Sequence, residues 1–173
     1  MRTCILKVTP EATPEVWRTI EMRADQTLHD LHRVIASEFD LDDDAHLYAF
    51  YLSGQPEEGE TEFGGPGTES PRKARRAKLS DLALAPGRSF LHLFDFGKRV
   101  CHRVEVVEIG EADEEADYPR ILDAQGEIEP SHDIWSDPDL PVNDMEGLKA
   151  LTGEIRLLMK LDSEEEEGRA RDP

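Results

Sequence analysis

Thr27-Leu28-His29-Asp30-Leu31-His32-Arg33-Val34-Ile35-Ala36-Ser37-Glu38-Phe39 is the stretch on which the fold turns. Thr27, with Asp30 three residues on, has the form of a capping box: the hydroxyl satisfies an amide of the first turn, and the acid reaches back to the cap. Leu28, Leu31, Val34, Ile35 and Phe39 fall at helical spacing on one stripe. The spacing predicts an amphipathic helix to about residue 39, ended by Asp42-Asp43-Asp44 and laid on a sheet.

That sheet is legible on both sides of the helix. Before it, Cys4–Val8 and Val16–Arg23 read as strands separated by Thr9-Pro10 and Pro14, so the pair is expected to form a β-hairpin. In the second strand Val16, Ile20 and Met22 share one face, and Trp17, Thr19 and Glu21 take the other. After the helix, Leu47–Leu52 is apolar on both faces, as a central strand is. Residues 53–78 read as a long flexible loop with a basic end, and Leu79–Leu82 as a short helical turn. Phe90–Phe96 and Val100–Ile109 read as strands joined by a tight hairpin at Gly97.

Beyond Gly110 come an acidic loop, Glu111–Asp117, and a Pro- and Asp-rich stretch around Trp135. Met145–Leu151 is expected to be helical, while Ile155–Leu161 fits a strand or a helix, with Gly153 favouring a break before it. The final residues, 162–173, are acidic and expected to be disordered.

A chain of 173 residues is long enough to bury one core without disulfide or metal staples. Its charge is uneven: residues 1–100 hold 17 acidic and 13 basic side chains, and residues 101–173 hold 22 and 7. That field disfavours direct nucleic-acid binding, which draws its affinity from Lys and Arg displacing counterions. Cys4 and Cys101 lack the spacing of a disulfide framework or a zinc site. With no apolar run long enough for a signal peptide or a membrane span, a cytoplasmic location is expected, with no membrane contact. No cofactor is implied, because Gly64-Gly65-Pro66-Gly67 lacks the Lys-Ser/Thr of a phosphate loop.

The order hairpin, helix, strand, helical turn and strand resembles a ubiquitin-like β-grasp over about residues 2–97. More specifically, Leu6-Lys7-Val8, Val16–Ile20, Thr27–His32, His46–Phe50, Leu79–Leu82, Phe94-Asp95-Phe96-Gly97 with His102, and Tyr118-Pro119-Arg120-Ile121-Leu122-Asp123 occur in an order that resembles the plasmid pRiA4b ORF-3-like family. That family is similar in turn to TnpR-type passenger proteins of insertion elements. Lys98, Val100 and Ala124 stand where the family usually has an acid, a Trp and a Gly. The resemblance implies an α+β fold with a β-grasp core of β-hairpin, helix and mixed sheet, extended by extra strands and a C-terminal helical segment. One domain over residues 1–161 is expected, with the core at 2–109, the loop at 53–78 and the extension at 110–161.

The resemblance implies no established reaction, and β-grasp folds serve many functions. The expected function is a non-enzymatic protein-interaction module with an unknown protein partner, present as a monomer or weak dimer. The alternatives are an accessory role in mobile-element DNA transactions, through the basic run Arg72–Lys78, and a hydrolase using Asp95 and His102. Those two lie on strands joined by the hairpin and form the minimum for a carboxylate-oriented histidine. Binding candidates are Trp17, an outward aromatic; Arg18, at the core edge; Lys98, Arg99 and His102 around the hairpin; and Tyr118. His32 shares the helix stripe and is expected to pack on the sheet, whereas His29 is expected to be solvated. The two sit at metal-ligand spacing without a third ligand, so no metal is expected.

Overall fold

The computed structural model describes residues 1–41, 46–54, 62–70 and 72–128. Seven strands form one antiparallel sheet: β1 (Arg2–Pro10), β2 (Trp17–Arg23), β3 (Tyr48–Tyr51), β4 (Glu62–Gly64), β5 (Ser89–Phe94), β6 (Val100–Glu111) and β7 (Arg120–Gln125). Helix α1 (Leu28–Glu38) crosses between β2 and β3 in chain order, and two single 3-10 turns, Ala74–Arg76 and Leu79–Asp81, precede β5. The fold is α+β.

The capping box forms: Thr27 Oγ1 accepts from the Asp30 amide, and Asp30 Oδ2 accepts from the Thr27 amide at 2.7 Å. Removing that oxygen with T27A is expected to cost about 1 kcal/mol, read as a lower urea midpoint at unchanged slope. The helix ends where its stripe does: Phe39 is the C-cap and Asp40 takes φ 49°. Leu28, Leu31, His32 and Ile35 are completely buried beneath it.

The strand order is β4-β3-β5-β6-β1-β2-β7. The first two strands form the expected antiparallel hairpin, with Leu6 opposite Ile20. β3 lies between β4 and β5 and is buried on both faces, as its apolar run requires. The expectation of a mixed sheet does not hold, because every pairing is antiparallel. The reason is β6, which runs back from the β5 hairpin along β1 and so occupies the place between β1 and β5.

Two further readings change. The stretch taken as one long loop contains β4, and the basic run wraps a 3-10 turn whose Ala74 and Ala77 are buried in the core. Residues Arg120–Gln125, to which the sequence reading gives no element of their own, form β7 on the β2 edge. The β5–β6 hairpin turns through residues 95–99 around Gly97, as expected, with positive φ carried by Asp95 (50°) and Arg99 (54°). Asp95 Oδ1 holds this turn by accepting from the amides of Gly97 and Lys98. The helix expected at 145–151, the segment 155–161, Trp135 and the acidic tail lie outside the described residues.

The helix-side face of the sheet carries the main core, including Leu6, Val8, Ile20, Phe50, Phe90, Val104 and Val106. The opposite face has a smaller buried cluster of Ala49, Tyr51, Leu91 and Leu93. No helix among the described residues is long and apolar enough to cross a membrane.

Candidate functional site

Strand parity puts His92 on the helix-side face of β5 with Phe90 and Phe94, and the β5–β6 register places it opposite His102. His32 comes down from α1 onto the same spot. The three rings make a row, with His32 Nδ1 3.0 Å from His92 Nε2 and His92 Nδ1 3.4 Å from His102 Nδ1. A neutral imidazole has one N–H, so two protons serve the two contacts, one from His92 and one from a terminal ring. Tyr48 stacks on His32 at 3.4 Å between centroids, Phe50 lies beside His92, and Phe39 meets His102 edge-on.

All three histidines are buried. Burial holds His92 far below the ordinary imidazole range, helped by its neighbours His102 and His32, and it pushes His102 down to about 4. His92 and His102 are therefore uncharged at neutral pH. The row is a polar seam joining α1 to β5 and β6, and among the described residues no group of three or more His, Cys, Asp or Glu side chains is placed so that it could hold a metal ion. His29 is half-buried instead of solvated, with Nδ1 in hydrogen-bond contact with the Tyr48 hydroxyl.

The sequence-stated candidates are dispersed over the molecule. Asp95 and His102 take different partners: Asp95 holds the hairpin turn and lies 3.5 Å from His46 Nε2, while His102 faces His92 and Phe39. Lys98 and Arg99 are exposed in the same turn. Trp17 is half-buried beneath Lys7, whose Nζ sits 4.5 Å from the ring centre. Arg18 lies on the helix-side face, 3.5 Å from Glu38 on α1, and donates to the Trp17 and Gln125 carbonyls. Tyr118, joined to Pro119 by a cis peptide bond, accepts from the Asp113 amide and stacks with Arg120.

A second feature lies between α1 and β7, which pairs with β2 alone among the described strands. A groove of about 360 Å³ runs there between Val34 and Ser37 on the helix and Pro119 and Ile121 on the strand side. All six residues of β7 are exposed, with Ile121 at 38% and Leu122 at 45%. The register shifts between Thr19 and Ile20, which places Ile121 opposite Ile20 on the helix-side face. On the other face Arg120 pairs with the buried carboxylate of Glu21 at 2.7 Å and anchors the strand. Sequence reading passed over Ile121, Leu122, Arg33 and His92. The parity of His92 with Phe90 and Phe94 was the one available signal.

The family described as plasmid pRiA4b ORF-3-like protein matches residues 3–136 of the chain. Among solved structures, a protein of unknown function from Methanosarcina mazei Go1 is similar at 27% identity and a TM-score of 0.64, over 76% of this chain and 73% of that one. No curated protein matches the chain.

Proposed function

The chain belongs to the plasmid pRiA4b ORF-3-like family, and from that premise we propose that it is a non-enzymatic protein-interaction module that receives an extended segment of a partner on the edge of β7. The observation that carries this reading is the edge itself. β7 has one described neighbour and exposes Leu122 and Ile121, the latter lining a groove. Main-chain hydrogen bonds to such an edge supply affinity, and a groove that receives alternate side chains supplies selection. Long exposed edges invite pairing unless blunted, and β7 carries two apolar residues in its middle. We read the sheet as a β-grasp order with β6 inserted between β1 and β5, and the protein as a cytoplasmic monomer or weak dimer.

A second reading, an accessory role in mobile-element DNA transactions, is favoured by one observation: Arg75, Arg76 and Lys78 are exposed on an ordered turn. A formal net charge of −19 opposes it.

Affinity purification of the tagged full chain from its native cell, with and without nuclease, separates the two. We expect a protein partner that survives nuclease and whose recovery falls at least about tenfold in the variant I121K/L122K, since charge at an edge strand blocks pairing. Both positions are exposed, so the variant is expected to lose no more than about 1–2 kcal/mol and to stay folded, which its urea midpoint checks. A partner retained equally by the variant would remove β7 from the interface, and recovery that depends on nucleic acid would install the second reading.

A further inference from the structure

The charges lining the groove narrow what it accepts, and this step rests on the strand-addition reading. Its three charged side chains are Asp30, Arg33 and Glu38. Asp30 is committed to the amide and hydroxyl of Thr27 at 2.7 and 2.8 Å. Glu38 lies 3.5 Å from Arg18 Nε. Arg33 is exposed and has no ion-pair partner among the described residues. Arg33 is thus the one charged side chain of the groove without a hydrogen-bond or ion-pair partner among the described residues, and it stands beside the satisfied carboxylates of Asp30 and Glu38 and the apolar surface of Val34, Pro119 and Ile121.

We propose that the segment received at β7 is an acidic-apolar strand, which sets a carboxylate beside Arg33 while the side chains two residues away on the same face pack on Val34 and Ile121. The period of two in a strand brings every second side chain of an added strand over the groove, so one carboxylate between two aliphatic residues matches its lining. Arg suits this role because its planar fork donates two parallel N–H bonds to a carboxylate.

The test is fluorescence anisotropy of a labelled seven-residue peptide with threonine on one face and valine, glutamate, valine on the other. Its counterpart carries lysine in place of glutamate. The full chain is expected to bind the glutamate peptide about tenfold more tightly than the lysine peptide, with a preference that shrinks as salt is raised. R33E is expected to reverse the order, and R33Q to abolish the preference without adding a charge. Comparing two peptides on two proteins cancels the general repulsion of an acidic peptide by an acidic chain. Equal binding of both peptides to the wild type and R33E would overturn the charge selection and leave strand addition standing. Binding of neither would overturn both. Preference for the lysine peptide would assign a basic partner in place of the acidic one. Sedimentation of the protein alone closes the remaining route: a concentration-dependent dimer broken by I121K would give the edge to a second copy of this chain and overturn the proposal.

Discussion

Phe50→Ala lowers the free energy of unfolding by about 3–5 kcal/mol, read as a fall in urea midpoint at unchanged slope. The Phe50 ring is completely buried at the centre of β3. It lies 4.8 Å from the His92 ring, 6.1 Å from Tyr48 and 6.2 Å from Phe90, centre to centre. Deleting it removes the transfer free energy of a whole aromatic side chain. The void it leaves cannot collapse easily, because β3 is held by β4 on one side and β5 on the other. Phe50→Leu refills part of the space and should recover more than half of the loss. Ile121→Ala, at the exposed edge, is expected to cost under about 1 kcal/mol, so the core and the groove separate by measurement. A loss at Phe50 no larger than that at Ile121 would mean that the ring is not enclosed as described.

The contrast between these two positions also explains what the sequence made visible. Thr27 with Asp30, and the stripe from Leu28 to Ile35, act within a few residues, so the local pattern contains the helix. Tyr48–Tyr51 is apolar at every position, and a strand buried on both faces leaves that mark wherever it sits in the sheet. β7 leaves none. Its six residues are all exposed, and its conformation comes from pairing with β2 and from the Arg120–Glu21 contact across 99 residues of chain. The place of β6 between β1 and β5 is likewise a matter of long-range pairing. The Asp95 and His102 pairing rested on their nearness across one turn, but the turn draws Asp95 onto the Gly97 and Lys98 amides, and register sets His102 opposite His92. A histidine at Phe-x-His-x-Phe spacing on a buried strand was the local sign of that row.

The row makes stability depend on acid in a definite sense. At neutral pH the imidazoles of His92 and His102 are uncharged in the folded protein and nearly so in the unfolded chain, so their contribution is complete. As pH falls below about 6.5, the ordinary imidazole value, the unfolded chain takes up protons at both positions. Burial denies the same protons to the fold: His102 is held to about 4, and His92 is held well below the ordinary value. Between pH 6.5 and about 4 the unfolded state therefore binds more protons, and stability falls with pH. For His102 alone the displacement to about 4 corresponds to about 3 kcal/mol at the lower end of that interval, and His92 adds to it in the same direction. Urea midpoints at pH 7, 6 and 5 should decline steadily in the wild type and far less in H92Q/H102Q, whose amides keep polar contacts without titrating in this range. The comparison is confined to pH 5 and above because carboxylates protonate mainly below it. There the chain of net charge −19 loses self-repulsion, which acts in the opposite sense. Parallel midpoint curves for the two proteins would show that His92 and His102 take up protons in the fold as readily as in the unfolded chain, and would sink the description of these two as neutral groups at the seam between α1 and the sheet.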